Sequence, residues 1–338
     1  MQKILIIGTS WVGDCMLMQP MLMRLKQRYP DCLIDVLAPS WTISLLSAMP
    51  EVNATIVNPF PHGTLLLKER YELGVQLRAA NYDQAIVLAN SLKSALVPFF
   101  ANIPLRTGFI GEMRFGLLND ARKLNKTVLP LMVERFAQLA EARGDAIPRP
   151  LANPKLSIAE AQRDTTLNKL NLTLEKPVAI FCPGAEYGHA KRWPVAYFAE
   201  TAQRLHQLGY AVWLIGSGKD REVAETIVAL GNADTLNLCG STDLNDAIAL
   251  LSCAQLVISN DSGLMHLAAA LDRPMIALFG SSSPQFTPPL SSEAMVVKLD
   301  IKCSPCFKRE CPLGHFNCMN HLTPDRIWEK IQTLLRIS

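Results

Sequence analysis

The sequence predicts an α/β protein built from two doubly wound parallel sheets. Apolar runs rich in β-branched residues recur along the 338 residues, and each run is followed by a helical pattern. This alternation is typical of parallel strands covered by helices. A polar, proline-containing stretch at residues 144–154 separates two series of such runs. We therefore predict two Rossmann-like domains, 1–165 and 166–338, that face each other across a cleft.

The first series predicts four buried strands ahead of the boundary. They are Lys3–Ile7, Cys32–Leu37, Ala54–Val57 and Tyr82–Leu88. A helix at Ala159–Leu170 is expected to lead into the second domain.

The second series repeats the pattern. Its strands are Pro177–Cys182, Ala211–Ile215, Gln255–Ser259 and Pro274–Leu278, with helices that begin near Pro194, Lys219, Asp243 and Ser262. The last helix, Pro324–Leu335, either packs on the second domain or crosses back to the first. Ligands of doubly wound sheets bind at the carboxyl ends of the strands, so motifs at these ends are the candidate site residues.

The composition is that of a globular protein, with 49% hydrophobic and 19% charged residues. The first apolar run is too short for a signal peptide, and no run is long enough to span a membrane. Nine scattered cysteines fit a reducing compartment better than a disulfide framework. We therefore expect a cytoplasmic protein, and we expect no nucleic-acid partner.

Positive charge is concentrated in one segment although the net charge is only +3. Residues 91–126 contain six basic side chains against two acidic ones. Such a patch suggests an anionic ligand or a membrane surface, and a solvated face is the alternative.

The first strand is followed by Gly-Thr-Ser-Trp-Val-Gly-Asp at residues 8–14. The two glycines resemble a phosphate loop, but Asp14 stands where such a loop has lysine, and a carboxylate would repel phosphate. At the start of a helix a carboxylate is held ionised, which suits a general base. The alternative is that Asp14 only stabilises the helix dipole.

A long loop after the strand ending at Cys182 carries two adjacent cations, Lys191 and Arg192. Pro194 follows them and suits the first turn of a helix, so both cations would lie beside a helix N-terminus, where a diphosphate is favoured. Two solvated surface charges are the alternative.

Two further strand ends carry polar clusters. Residues 259–266 read Ser-Asn-Asp-Ser-Gly-Leu-Met-His and open a helix, which exposes backbone N–H groups to an anion. Residues 216–220 read Gly-Ser-Gly-Lys-Asp, where Asp220 could bind a ribose or cap the next helix.

Four cysteines lie within sixteen residues, and their density is that of a structural zinc site. They are Cys303, Cys306, Cys311 and Cys318. Their spacing is looser than a paired CxxC knuckle, so ordinary thiols in a surface loop are the alternative.

The motifs at 8–14, at 182–188 with Lys-Arg-Trp-Pro at 191–194, and at 260–266 together resemble the heptosyltransferase family over essentially the whole chain. The stretches at 90–100, 106–109 and 111–120 resemble the members that add the second heptose. The resemblance implies a GT-B fold and heptose transfer with inversion in lipopolysaccharide inner-core synthesis. The donor would be ADP-heptose in the C-terminal domain, and the acceptor heptosyl-Kdo2-lipid A in the N-terminal domain.

The resemblance also implies residue roles. Asp14 would be the general base on the 3-hydroxyl of the first heptose, and Lys191 would stabilise the diphosphate leaving group. The donor contacts would be Ser10, Gly13, Gly184, Glu186, Tyr187, Arg192, Gly216, Asp220, Asp261, Ser262, Gly263 and His266. The acceptor contacts would be Lys93, Arg106, Arg114 and Arg122. Glu186 and Tyr187 stand where the first-heptose enzymes have hydroxyl residues.

No cofactor is expected for catalysis, because a cation can stabilise the leaving group without a metal. The anionic acceptor suggests peripheral contact with the cytoplasmic face of the inner membrane. The alternatives are a related transferase with another nucleotide sugar or acceptor, and a two-domain ligand-binding protein, against which the missing export signal argues. An oxidoreductase is a third alternative, but neither domain has a clean G-x-G-x-x-G motif after a strand.

Overall fold

Each of the two series of apolar runs forms one parallel sheet. The computed structural model describes residues 1–231 and 234–337. The chain divides into two units, Met1–Pro154 and Lys155–Ser338. Within the described residues each unit contains a six-stranded sheet whose neighbouring strands all pair in parallel. The α/β class with two doubly wound sheets is thus confirmed.

The first unit begins with strand β1 and the long helix α1. Its strands are β1 (Lys3–Ile7), β2 (Leu33–Ala38), β3 (Ala54–Val57), β4 (Gln84–Val87), β5 (Leu105–Phe109) and β6 (Asp120–Arg122). Its helices are α1 (Val12–Arg28), α2 (Ile43–Ser47), α3 (Leu67–Leu77), α4 (Leu96–Phe100) and α5 (Met132–Ala140). The strand order is β3-β2-β1-β4-β5-β6.

The second unit begins with a helix and repeats the alternation. Its strands are β7 (Val178–Cys182), β8 (Ala211–Leu214), β9 (Thr235–Asn237), β10 (Ala254–Asn260), β11 (Met275–Phe279) and β12 (Ala294–Lys298). Its helices are α6 (Glu160–Lys169), α7 (Val195–Gln207), α8 (Arg221–Leu230), α9 (Leu244–Cys253), α10 (Gly263–Ala270), α11 (Asn317–Asn320) and α12 (Pro324–Leu335). The strand order is β12-β11-β10-β7-β8-β9.

Both sheets reverse their direction of winding beside their first strand. In the first unit β1 lies between β2 and β4, and in the second unit β7 lies between β8 and β10. Loops that leave the carboxyl ends of two such neighbouring strands run in opposite directions and leave a crevice, which is where doubly wound sheets bind ligands. The candidate motifs after β1, β7 and β10 therefore lie at the switch points.

The central strands are apolar because both of their faces are covered. All five residues of β7 and of β11 are buried, as are the aromatic rings of Trp193 and Phe198 that pack against the second sheet. In the first unit Leu5 and Val87 belong to the corresponding core. Burying one such side chain stabilises the fold by about 1.5–3 kcal/mol, so these cores fix where the strand ends lie.

The predicted strands and helices are confirmed to within a few residues, but four short strands escaped prediction. These are β5, β6, β9 and β12. The three-residue strands β6 and β9 are edge strands, and β12 is an edge strand whose residues are only half buried. Such strands need no continuous apolar run, so their sequences carry little signal.

The position of the domain boundary differs from the sequence-based one. The two units meet at Pro154, whereas the predicted boundary at 165/166 lies within α6, which packs against α9. The terminal helix α12 packs against α7, β11 and β12, so it forms part of the second unit. Among the helices of residues 1–231 and 234–337, none combines the length and apolar character that a membrane span requires.

Candidate active site

A buried ion pair lies at the switch point of the second sheet. Lys191 follows β7 and Asp261 follows β10, and the Lys191 ammonium donates to the Asp261 carboxylate at 2.6 Å. The two side chains are only 16% and 5% exposed. The Tyr187 ring lies under the same ammonium, with 5.1 Å from Nζ to the ring centroid. The two motifs are thus joined at one place.

Asn260, the last residue of β10, holds both ends of the loop that carries Lys191. Its side-chain NH2 donates to the Pro183 carbonyl at 2.7 Å, and its side-chain oxygen Oδ1 accepts from the Trp193 backbone N–H at 3.1 Å. The Asn260 side chain is fully buried. Because the ends of the loop are tied to β10, Lys191 has a fixed position relative to the strand end.

His266 is a neutral buried histidine beside the ion pair. It lies in α10, one turn after the helix begins at Gly263, and it is almost fully buried. Burial lowers its pKa to about 4, while nearby Asp261 raises it and Lys191 lowers it. The imidazole is therefore uncharged at neutral pH and can act as a hydrogen-bonding group without adding charge.

Asp220 is held by the protein at the end of β8. Its carboxylate accepts from the N–H and hydroxyl of Ser217 at 3.0 and 2.8 Å, and it lies 3.6 Å from the Arg192 guanidinium. A Cβ on Gly184 would lie 2.5 Å from this carboxylate, so glycine permits the close approach. Gly216 also contacts Asp220, since an added Cβ would lie 3.0 Å from it. The Asp220 carboxylate thus closes the turn at Ser217 ahead of α8, whose N–H groups it does not cap, and it anchors Arg192.

The remaining residues of the second-unit motifs differ in exposure. Glu186 forms an ion pair with Lys219 on the surface. Ser262 precedes α10 and Gly263 begins it, without a side-chain cap, so the first N–H groups of this helix are not used by Ser262. Helix N-termini with uncapped N–H groups attract anions.

In the first unit the motif after β1 forms a tight loop into α1. The Gly8 N–H donates to the Leu37 carbonyl at 2.9 Å, and the Trp41 indole donates to the Ser10 carbonyl at 3.0 Å. Gly13 is buried in the first turn of the helix, and Asp14, in the same turn, is partly exposed. The carboxylate therefore lies at the positive end of the helix dipole, at the switch point of this sheet.

The comparisons with known proteins agree with this geometry. A sequence model of glycosyltransferase family 9 (heptosyltransferase) matches residues 70–317. Lipopolysaccharide heptosyltransferase 2 of Salmonella typhimurium is 48% identical over 342 residues, which cover 98% of each chain. The protein of the same name from Escherichia coli is also 48% identical, with the same coverage. The solved structure of E. coli ADP-heptose lps heptosyltransferase II matches with a TM-score of 0.90, 46% identity and 99% coverage of both chains.

The chain belongs to the heptosyltransferase family. It is therefore an enzyme, a glycosyltransferase, and the structural match confirms the predicted GT-B class. Membership does not favour the ligand-binding-protein or oxidoreductase alternatives.

Three arginines expected to bind the acceptor of this heptosyltransferase are used by the first unit itself. Arg106 donates to the carbonyls of Leu117 and Ile103, both at 2.6 Å. Arg114 is 2% exposed and donates to the Ala89 and Phe109 carbonyls. Burial lowers the pKa of Arg106 and of Arg114.

Arg122 has the same kind of role as the other two arginines. It pairs with Asp120 at 2.6 Å and donates to the carbonyls of Gln138 and Glu141 at 2.8 and 3.0 Å. The three guanidinium groups therefore support the β5–β6 region, and their role as acceptor contacts stays a prediction.

A cavity of about 670 Å³ lies at the carboxyl ends of β4, β5 and β6. Its lining includes Asn90, Ser91, Glu112, Lys123 and Lys126. For the ammonium groups of Lys93, Lys123 and Lys126, no ion pair is found within the described part of the chain. The basic segment was thus located by sequence, but the cations open to a ligand are lysines rather than the arginines.

The prediction of a structural zinc site is not supported. In residues 1–231 and 234–337, no group of three or more His, Cys, Asp or Glu side chains is arranged to hold a metal ion. Cys318 packs against the core of the second unit, and burial raises its pKa, with a further rise from the other three cysteines. Cys311 instead accepts backbone N–H groups of residues 313–316, which lower its pKa despite an opposing effect of desolvation.

Sequence reasoning missed a serine pair at a third strand end. Ser281 and Ser282 follow β11, which neighbours β10, and they are 1% and 5% exposed. Among the residues that the structure describes, their hydroxyl oxygens have no hydrogen-bond partner, and neither has the buried Nε of Arg192. Buried polar atoms are normally paired, so these groups suit a ligand at the strand ends. The Gly-Ser-Ser-Ser sequence directly after a predicted strand was the available signal.

Proposed function

We propose that this heptosyltransferase transfers L-glycero-D-manno-heptose from ADP-heptose to the first heptose of heptosyl-Kdo2-lipid A, with inversion, in lipopolysaccharide inner-core synthesis. Two relatives named lipopolysaccharide heptosyltransferase 2 that match over 98% of the chain support this substrate pair. The observation that carries the proposal is the Lys191–Asp261 pair at the switch point of the second sheet. It offers a cation for a diphosphate.

The second unit is the donor-binding unit in this proposal. The acceptor hydroxyl oxygen attacks C1 of the heptose, and the bond from C1 to the β-phosphate oxygen breaks. Negative charge then develops on the departing ADP. Lys191 stabilises that charge together with the N–H groups at the start of α10, which requires no metal. Neutral His266 borders the donor sugar, where it can accept or donate a hydrogen bond without adding charge.

Asp14 is the general base of the proposal. The acceptor hydroxyl loses its proton as the new bond forms, and the Asp14 carboxylate takes that proton. The helix dipole keeps the carboxylate ionised before the reaction. A general base typically contributes about 10²- to 10⁴-fold to the rate.

The first unit is the acceptor-binding unit. Its cavity at the carboxyl ends of β4 to β6 has lysine ammonium groups at its rim, and the proposed acceptor is rich in carboxylate and phosphate. We assign these anions to Lys93, Lys123 and Lys126, because their charges are not matched by ion pairs in the described residues. The three arginines keep the surrounding loop in place through their bonds to backbone carbonyls.

The loop between β5 and β6 supports peripheral contact with an anionic membrane. Met113 and Phe115 are 83% and 76% exposed, while Arg114 between them is buried and anchors the loop. Ile110, also exposed, lines the cavity with Lys123 and Lys126. Exposed apolar side chains next to lysines are the combination that binds anionic lipid surfaces.

The enzymatic proposal is tested by ADP release from ADP-heptose with heptosyl-Kdo2-lipid A, comparing the wild type with Asp14→Asn. We expect turnover only in the wild type, with equal ADP-heptose affinity in both by calorimetry. If neither protein releases ADP, the donor or the acceptor is wrong. Equal turnover in both proteins would mean that Asp14 only stabilises the dipole of α1 and is not the general base.

The membrane proposal is tested by co-sedimentation with phosphatidylethanolamine–phosphatidylglycerol vesicles. The double variant Met113→Ser/Phe115→Ser should bind at least about tenfold more weakly, since two apolar side chains no longer enter the interface. Leu65→Ser/Leu67→Ser is the matched control, because these side chains are also exposed in the first unit. Equal losses in both variants would contradict a specific role for the β5–β6 loop.

A further inference from the structure

The cysteine-rich segment makes hydrogen bonds to the loop that follows β11. The Phe307 N–H donates to the Ser281 carbonyl at 2.7 Å, and the Ser304 hydroxyl donates to the Gly280 carbonyl at 2.7 Å. Both carbonyls lie at the start of the loop that carries the buried hydroxyls of Ser281 and Ser282. The segment therefore fixes the backbone from which these hydroxyls project.

The same segment also binds the loop that carries Lys191. The Tyr187 hydroxyl donates to the Phe307 carbonyl at 2.9 Å, and the Ala190 N–H donates to the Arg309 carbonyl at 2.9 Å. The Tyr187 ring lies between two cations, with the Arg309 guanidinium 5.3 Å from its centroid and the Lys191 ammonium 5.1 Å away. These contacts reach the residue directly before Lys191.

Phe307 is the node between the two loops. Its N–H donates to the loop after β11, and its carbonyl accepts from the loop after β7. It does so from a left-handed conformation with a φ of 54°, which is uncommon for a bulky residue. The strain is tolerated because both of its backbone polar groups are bound.

The close fit on the Lys191 side depends on Gly188. A Cβ at this position would clash with the backbone carbonyl of Arg309. His189 adds a contact from its Nδ1 to the Glu310 carboxylate at 3.0 Å. The segment is thus matched to the loop over three consecutive residues, 188–190.

We propose that residues 303–311 form a positioning strap that holds the Lys191 ammonium and the Ser281 and Ser282 hydroxyls in fixed relation at the donor site. The strap gives the cysteine-rich segment a role that does not involve metal. Its residues do not touch the reacting atoms and act through Lys191 and through the two serine hydroxyls. The inference rests on the proposed function of Lys191 as the group that stabilises the leaving diphosphate.

The test is a set of double-mutant cycles with Lys191→Ala. Tyr187→Phe and Ser304→Ala each remove one hydroxyl of the strap contacts, and Leu313→Ala, an exposed side chain beyond the strap, is the control. In the wild-type background each strap variant should lower the kcat of ADP release roughly fivefold, as expected for one lost hydrogen bond. The acceptor KM should not change, and neither should the kcat of the control.

In the Lys191→Ala background Tyr187→Phe should change kcat less than about twofold, because two changes that act through one group are not additive. Ser304→Ala contacts the serine loop and should keep its fivefold effect in that background. An equal reduction by Tyr187→Phe in both backgrounds would overturn the proposal, since the strap would then act on this loop independently of Lys191. An unchanged kcat of both strap variants in the wild-type background would overturn it as well.

Hydrogen exchange separates this proposal from the proposed function. The amides of residues 188–192 should exchange faster in Tyr187→Phe than in the wild type, and those of residues 280–283 should exchange faster in Ser304→Ala, whether or not substrate is present. Exchange could accelerate in the strap variants while Lys191→Ala retains full kcat. That result would refute the catalytic role of Lys191 but support the contact between the strap and the loop. If exchange is unaltered, the strap is refuted.

Discussion

Two groups of basic residues in this heptosyltransferase were expected to bind anions, and the structure treats them in different ways. In the β5–β6 region of the first unit, Arg106, Arg114 and Arg122 donate to carbonyl groups of their own unit. In the second unit, Lys191 meets a single carboxylate at the end of a central strand. The sequence offers cations in both places, but the number of donors left for a ligand differs.

The chemistry of the two side chains explains the difference. A guanidinium has five N–H donors in a planar fork and can satisfy several carbonyl groups of an irregular loop at once. The β5–β6 loop has many such carbonyls and little regular structure. An ammonium is a compact charge that a single carboxylate can hold, and the strand end supplies that carboxylate as Asp261. The comparison teaches that the donors of a guanidinium in a loop are taken up by nearby carbonyls, whereas an ammonium paired with one carboxylate keeps donors for the proposed ligand.

The largest expected effect would sharpen this comparison on the side of the second unit. Lys191→Ala should lower kcat by about 10²- to 10³-fold, because a preorganised charge at the leaving group is lost. The melting temperature should fall as well, because the buried Asp261 carboxylate would lose its ammonium partner. Steady-state ADP release and thermal unfolding measure both quantities. If Lys191→Ala has a lower melting temperature but a normal kcat per folded molecule, Lys191 has a structural role and not a catalytic one.

Arg114→Ala probes the other side of the comparison. Loss of the guanidinium leaves buried carbonyls without donors, and we expect a loss of about 2–4 kcal/mol in the free energy of unfolding. The activity per folded molecule should stay within about threefold of the wild type, as no catalytic contact is removed. Urea unfolding followed by tryptophan fluorescence gives the stability. Unchanged stability together with a raised acceptor KM would return Arg114 to the acceptor site.

The pH dependence of stability tests the neutrality of the second-unit site. The pKa of His266 is about 4 in the folded protein, below its ordinary value of 6.5. Between these two pH values the unfolded chain binds the extra proton, so stability is lost as the pH falls through this window and is complete above it. The contribution is about 3 kcal/mol at most.

His266→Asn should flatten the stability profile between pH 4 and 6.5, measured by urea unfolding at several pH values. The Asp261 carboxylate and the Lys191 ammonium remain in the variant. His206→Asn is a matched control, because this histidine lies on α7, away from the strand-end cluster. A profile that stays as steep as in the wild type would show that His266 does not cause it.

The smallest effect concerns the lysines at the rim of the first-unit cavity. Lys123→Ala and Lys126→Ala should each raise the acceptor KM roughly fivefold, the value of one lysine near an anionic surface. The effect should shrink as salt is added, because exposed charges are screened. Lys68→Ala, an exposed lysine of α3, is the control. Equal effects of all three variants would mean that net charge alone matters.

Some residues of the site could be predicted from the sequence and others could not. The difference is again one between strand ends and irregular loops. Lys191, Asp261 and His266 were found because strand ends at the switch point are set by apolar runs that the sequence displays. The partners of Arg114 could not be found, since a charge in a sequence does not reveal which carbonyls will surround it. Ser281 and Ser282 carry no charge and drew no notice. The strap joins Tyr187 to Phe307, which are 120 residues apart, through a backbone carbonyl that has no sequence signature.

The Lys191–Asp261 pair has a consequence for selectivity among cellular anions. The Lys191 ammonium already has a counter-ion in Asp261, so any anion that binds Lys191 must compete with that carboxylate. Chloride or acetate has no more charge than Asp261 does, and gains little from the exchange. A diphosphate has more charge and more oxygen acceptors, and can compete. If Lys191 holds the diphosphate as proposed, the pair would favour a diphosphate over the monovalent anions of the cell.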